Sequence, residues 1–320
     1  MSLSIQQAYA ACNQIARREA KNFYYSFLVL PKQKRLAMYA MYAFMRHADD
    51  LADDESLPVA ERTEKEKAWI AEWRRAANGA QTENPVFIAV RDVQKKFEIP
   101  SELLDQLIHG TMMDLMPQAD EAQQTSNTAF VEDAADSASG YAYQVYKSFD
   151  DLYQYCYYVA SVVGLVCIRI FGYTDKRAEK LAEETGIAFQ LTNILRDVRE
   201  DAERGRIYIP LEDLRRYDVR VEHLASMRGN ELMTLNAKLL LEMEAQRAQK
   251  FYTSANALLP MIDADSRPAL WVLVTVYRRL LHKIMARQYR VFSERVKVPV
   301  HEKIAILLRG LWKMARARWI

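Results

Sequence analysis

Cysteine is scarce in these 320 residues: Cys12, Cys156 and Cys167 stand far apart, and none has metal-ligand spacing. That excludes a disulfide framework and suits a reducing cytoplasm. Glycine and proline number nine each. With so few breakers among abundant Ala, Leu, Glu, Lys, Arg and Met, helix is favoured throughout. No GxxxxGK[ST] or GxGxxG occurs, so neither a P-loop nor a Rossmann nucleotide site is supported. The Glu-x-x-His pairs of a di-iron bundle are missing too. Formal net charge is only +2, which gives no case for a nucleic-acid partner. The N-terminus has no basic head followed by an apolar block, so no signal peptide is expected.

What is present is apolar. Half the residues are hydrophobic, enough to bury a large core, and no linker or internal repeat divides the chain. Apolar periodicity near 3.6 predicts helices over 4–20, 32–54, 59–78, 85–96, 101–115, 149–171, 175–201, 211–215, 219–225, 229–258, 265–287 and 300–317. Pro31, Pro58, Pro100, Pro210 and Pro299 sit at their boundaries. No alternating stretch is long enough to suggest a sheet. The expectation is one all-α domain over residues 1–320, with a polar surface loop or partly disordered insertion at 117–140. LYQYCYYVASVVGLVCIRIF, residues 152–171, approaches the length of a membrane span. Its Gln154, Arg169 and crowded tyrosines favour a buried core helix.

RHADDLADD, residues 46–54, puts four carboxylates at the end of the apolar run AMYAMYAFM. On a helix, positions i, i+3, i+4 and i+7 share a face. Tyr42, Arg46, Asp49 and Asp53 follow that spacing, with Asp50 beside them. QLTNILRDVRED repeats the geometry, with Gln190, Asn193, Asp197 and Asp201 at steps of three, four and four. Clustered carboxylates repel one another and are costly to bury uncompensated. Oxygen ligands without His or Cys suit Mg²⁺, which keeps several waters and shares substrate phosphates. Arg46 and Arg196 each lie within a turn of a stripe and offer bidentate phosphate contacts. A single DxxxD usually marks a solvated face. Two matched stripes, each continuing an apolar helix beside an arginine, point instead to a magnesium-clamped diphosphate site between facing helices. A calcium loop needs a central glycine, which RHADDLADD lacks.

From about residue 14 to 310 the chain resembles the squalene and phytoene synthase family, which joins two prenyl diphosphates head to head. NFYYSFLVLPKQKRLAMYAMYAFMRHADDLADD resembles its flap and first aspartate-rich motif, and YCYYVASVVGLV its central tyrosine helix. QLTNILRDVREDAERGRIYIP resembles the second acidic motif with its basic turn, while VYRRLLHKI and RVKVP resemble the closing helices. By matching position, the resemblance implies Asp49, Asp53, Asn193, Asp197 and Asp201 as metal-facing residues. It implies Arg46, Arg196 and Arg206 as diphosphate holders, with Tyr42, Gln190 and Tyr277 alongside and Phe23 covering the site. Tyr155 matches the catalytic tyrosine, whose hydroxyl helps manage the proton lost during coupling. The flap positions Ala20 and Asn22 belong to the substrate-binding set, but relatives often carry hydroxyls there. Phosphate contact at these two is expected to be weaker or made by backbone. Ser161 stands where many members have glycine.

The resemblance further implies that the metal and arginines draw off diphosphate, leaving an allylic cation walled by aromatic faces. Phe23, Tyr39, Tyr42, Phe44, Tyr155 and Tyr158 are the candidates. Attack by the acceptor's double bond and loss of a proton then give a cyclopropylcarbinyl diphosphate. YVASVVGLVCIRIFGY and ILRDVREDAERGRIYIP most resemble bacterial presqualene diphosphate and squalene synthases, and that resemblance favours two farnesyl diphosphates, giving presqualene diphosphate with squalene as a further product. The alternatives are phytoene from two geranylgeranyl diphosphates, or dehydrosqualene. NADPH use stays open. A terpene cyclase and a non-catalytic protein at membranes are the more distant rivals. The tail HEKIAILLRGLWKMARARWI is basic and amphipathic, which allows peripheral contact with the inner membrane face. Lys303, Arg309, Lys313, Arg316 and Arg318 would meet headgroups, and Ile304, Leu307, Leu308, Leu311, Trp312 and Trp319 would supply apolar contacts.

Overall fold

A computed structural model describes residues 3–52, 54, 56–113, 128–130, 143–227 and 233–317. Local chemistry starts its helices. Ser4 opens α1 (Ile5–Glu19): its hydroxyl accepts from the Gln7 N–H, and its own N–H donates to the Gln7 side chain at 2.9 Å. After α2 (Lys21–Phe27) and α3 (Lys32–Ala52), Pro58 stands at the N-cap of α4 (Val59–Ala77). Asn84 caps α5 (Pro85–Lys96), with proline at the first helical position, where its missing N–H costs nothing. Then comes α6 (Ser101–Met112). Ser148 and Asp151 form a second reciprocal cap at the start of α7 (Phe149–Cys156).

The predicted helix 149–171 is a composite: α7, a π-helical turn (Tyr157–Ser161) and α8 (Val162–Phe171). It packs against α9 (Arg177–Glu203), α6 and α3. By length and composition alone this composite helix could cross a membrane. In the structure it is part of the bundle. The wide π turn fits because α9 presents Gly186 to it. A Cβ there would stand 2.6 Å from Ser161 Cα and 2.8 Å from the Ala160 oxygen. Ser161 is fully buried, and its hydroxyl donates to the Glu183 carbonyl on α9 at 2.7 Å.

Beyond α9 follow α10 (Leu211–Arg216), α11 (Val221–Ser226), α12 (Leu235–Leu258) with a 3-10 turn (Leu259–Met261), α13 (Arg267–Ala286) and α14 (Val300–Ala317). α9 is the central helix, packed by α12, α8, α7 and α13. Its inward residues Ala182, Thr185, Ala188 and Leu195 are small or apolar and buried. A buried ionic cluster ties the periphery together. Arg247 of α12 donates to Asp213 of α10 at 2.7 Å and to Glu244 at 2.8 Å, with its guanidinium 4.2 Å over the Phe149 ring of α7.

Two departures from expectation stand out. KNFYYSF forms α2, although its aromatics give no clean helical period. A three-stranded sheet also exists: β1 (Thr128–Phe130) runs antiparallel to β2 (Gln144–Tyr146), which runs parallel to β3 (Arg206–Ile207). Strands of two or three residues leave no readable alternation. Apart from β1, the proposed insertion at 117–140 lies outside the described residues.

Candidate active site

Helices α3, α8, α9 and α13 enclose an apolar cavity of about 330 Å³, within the usual range of small-molecule sites. Met41, Val163, Cys167, Phe189 and Leu273 line it, and Phe23 and Phe27 of α2 close one side. On α3 the lining runs from Asp49 to Met38, eleven residue steps or about 16 Å of helix. A second chamber of about 370 Å³ is polar and takes in Tyr155, Arg196, Asp197, Asp201, Arg206 and Tyr208. Met45, Asp49, Val159, Gln190 and Asn193 belong to both linings, so the chambers share a rim.

Both acidic stripes end their helices. Asp49 and Asp50 fall in the last turn of α3, Asp201 in that of α9, and neither turn carries a basic residue. Carboxylates are disfavoured at the negative end of a helix, so positive charge is expected to gather at both, and at the end of α3 Arg46 pairs with Asp50. At α9 part of it comes from arginine as well. Arg196 donates through Nε to Asp197 at 2.7 Å, and Arg295 reaches both Asp197 oxygens at 2.8 Å. Burial pushes the Asp197 carboxyl up, but these hydrogen bonds and charges outweigh it and hold the group below the ordinary range. Burial likewise works against the charge on Arg46 and Arg196, and the Asp50 and Asp197 carboxylates overcome it. The Tyr42 hydroxyl is pushed up to about 12, chiefly by burial. Tyr277 is also raised by burial; its ring stacks on Phe189 at 4.4 Å and meets Phe23 at 5.7 Å.

Two polar atoms suit a bound ion or phosphate. Arg46 Nε and Asn193 Oδ1 are buried with no hydrogen-bond partner among the described residues, and both side chains line the apolar cavity at its polar end. A buried unsatisfied polar atom costs about 1–3 kcal/mol, which a bound ion or phosphate would relieve. Among the described residues no cluster of three or more His, Cys, Asp or Glu could hold a metal ion. The oxygens of Asp49, Asn193, Asp197 and Asp201, spread over two helix ends, instead fit Mg²⁺ that takes most of its ligands from water and substrate phosphate.

The structure brings Tyr42, Arg46, Asp49, Gln190, Asn193, Arg196, Asp197, Asp201, Arg206, Tyr155 and Tyr277 to these two chambers, with Phe23 over the apolar one. Asp53 lies outside the described residues, as does the side chain of Asn22. Ala20 is buried at the α1–α2 junction, where its carbonyl accepts from the N–H groups of Phe23 and Tyr24, and it lines neither chamber. Two expected aromatic walls sit elsewhere. Phe44 packs in the core on Trp69 and Trp73, and Tyr39 stacks on Tyr24. Tyr155 and Tyr158 line the polar chamber. Sequence reasoning missed Arg295, Arg204 and Tyr208. RVKVP held the first of these, but nothing local pairs it with Asp197, 98 residues away. Gly205, at φ +74°, makes the turn that seats Arg206 and Tyr208.

An all-α bundle with a dry cavity opening under two oxygen-rich helix ends has the isoprenoid-synthase-like architecture. Within that class, the chain belongs to the squalene/phytoene synthase family, whose model matches residues 16–302. It is 32% identical over 307 residues to the phytoene synthase of Mycobacterium tuberculosis, covering 96% of this chain and 91% of that protein. To the 15-cis-phytoene synthase of Synechocystis sp. it is 30% identical over 319 residues, covering 95% and 84%. A crystal structure of a dehydrosqualene synthase in complex with a ligand superposes with a TM-score of 0.79 over 98% of both chains, at 28% identity. A squalene synthase from Alicyclobacillus acidocaldarius shares the fold, with a TM-score of 0.73 at 24% identity over 89% of this chain and 95% of the other.

Proposed function

We propose that residues 1–320 act as one catalytic unit that condenses two prenyl diphosphates head to head with Mg²⁺. The observation that carries this reading is the shared rim, where a charged chamber for diphosphate meets a dry chamber for a prenyl chain. Asp49, Asp53, Asn193, Asp197 and Asp201 would hold the metal, which when bound neutralises charge on diphosphate oxygens. Arg46, Arg196 and Arg206 bind and orient the diphosphate, and Tyr42, Gln190 and Tyr277 line its approach. Phe23, Phe27 and Phe189 keep water from the allylic carbon and face it with electron-rich rings. Tyr155, buried, donates its hydroxyl hydrogen to the Tyr208 hydroxyl at 3.1 Å, a placement suited to handling the proton lost in coupling.

The farnesyl preference read from the tyrosine and acidic motifs gives way here. Relatives at 30–32% identity over nearly the whole chain are named phytoene synthases, which favours two geranylgeranyl diphosphates and phytoene. Nothing supports a nicotinamide site. The test incubates purified protein and Mg²⁺ with labelled geranylgeranyl or farnesyl diphosphate, with and without NADPH, and identifies the hydrocarbon. Phytoene without NADPH is expected. Squalene or dehydrosqualene from farnesyl diphosphate, with no C40 product, would restore the farnesyl reading. Products from single prenyl units would make the protein a terpene cyclase.

A further inference from the structure

Helix α14 packs on α13 and on the flap helix α2. Ile306 is buried, Leu307 and Leu311 pack partly buried against the core, and a Cβ at Gly310 would stand 2.5 Å from Val272 of α13. The opposite face has no cover: Val300, Ile304, Leu308 and Trp312 are 58%, 43%, 59% and 59% exposed. At 100° per residue these four spread over about 120° of arc, a width typical of a buried helix stripe. Exposed Arg309 and Lys313 follow on one flank. Glu302, the single acidic residue of α14, is neutralised from α13 by Arg279 and Lys283, each at 2.7 Å.

We propose that this face docks the protein on an anionic lipid surface. An apolar arc bearing a tryptophan, with cations along its edge and its one carboxylate already paired, matches the acyl–headgroup boundary of such a bilayer. A protein partner of ordinary surface would leave Arg309 unmatched on this edge, beside Lys313, whose ammonium lies 4.5 Å over the Trp271 ring. Position favours lipid as well. α13 turns Leu270, Leu273 and Tyr277 into the apolar cavity and Val272 toward α14, so α13 and the body of α14 lie between the cavity and the docked face. If the proposed condensation is correct, its hydrocarbon product forms two helix layers from the phase that dissolves it; the docking itself does not depend on that reading.

The full chain is sedimented with vesicles of phosphatidylcholine alone or with roughly one-third phosphatidylglycerol. The expected result is binding to the anionic vesicles, weakened by high salt, and quenching of tryptophan fluorescence by lipids brominated on their acyl chains. Replacing Leu308→Gln and Trp312→Gln together should weaken binding roughly ten- to hundred-fold. Leu235→Gln, more exposed but on α12, serves as the control and should bind as before. Equal binding by the double variant and the native chain would overturn the proposal, as would no binding by the native chain. A dimer in solution that the double substitution dissociates would assign the face to a second copy of the chain. Because the readout is lipid binding, an inactive protein that still docks would count against the condensation reading alone.

Discussion

Removing Arg295 should tighten metal binding. Arg295 grips both oxygens of Asp197 at 2.8 Å and lies 3.2 Å from Glu200, while Arg196 holds the same carboxylate. Any cation recruited to Asp197 must displace part of this grip. A buried guanidinium–carboxylate pair broken by truncation costs about 3–5 kcal/mol. Arg295 is 37% exposed, so solvent screening leaves about 1–2 kcal/mol here. The Arg295→Ala variant should therefore bind Mg²⁺ about five- to thirty-fold more tightly. Arg295→Lys should fall between, because an ammonium cannot fork across both oxygens. Calorimetric titration of the protein with Mg²⁺ alone measures this without diphosphate binding. Unchanged or weaker Mg²⁺ binding in Arg295→Ala would refute the competition between arginine and metal for Asp197.

Other expectations follow from the same geometry. Asp197→Asn should keep its helical circular dichroism and lose turnover by orders of magnitude; near-normal rates at saturating Mg²⁺ would remove Asp197 from the metal set. Gly186→Ala drives a methyl into the backbone of the π turn, and should lower stability by about 1–3 kcal/mol in denaturant titrations while impairing activity by shifting Tyr155. Burial, aided by the neighbouring Asp213 charge, pushes the Glu244 carboxyl up from 4.5 to about 7. A raised folded-state pKa gives stability that is complete below about 4.5 and lost as pH rises through about 7. Unfolding free energy should thus fall across that window, and Glu244→Gln should flatten the slope; a variant with the native slope would exclude Glu244 as its source.

The sequence was most legible where one element carries a whole pattern. The acidic stripes are each written within a single helix, so Asp49 with Arg46, and Asn193 with Asp197, could be read from spacing alone. Pro58, Pro100 and Pro210 marked true helix starts for the same local reason. What escaped depends on partners distant in the chain. Arg295 meets Asp197 only because the chain returns after α13. Phe44 and Phe23 are equally aromatic, and only packing decides that one fills the core and the other covers the cavity. In the tail, Leu307 and Leu308 are indistinguishable by composition, yet the first packs inward and the second faces outward. The π turn is invisible locally because it arises from a match between the tyrosine helix and Gly186 on another. KNFYYSF is helical through its contacts with α13 and α14 rather than through any period of its own.

If the proposed function is correct, the rim shared by the two chambers would also act as a filter. A molecule that is polar throughout gains nothing from the dry side, and a plain hydrocarbon has nothing to anchor it at the arginines. On the proposed reading, a long apolar tail ending in concentrated negative charge would satisfy both at once, with its junction bond near Asp49 and Asn193 of the shared lining. A competitor that places a fixed positive charge at that junction, between tail and anion, would occupy the same boundary without being able to react.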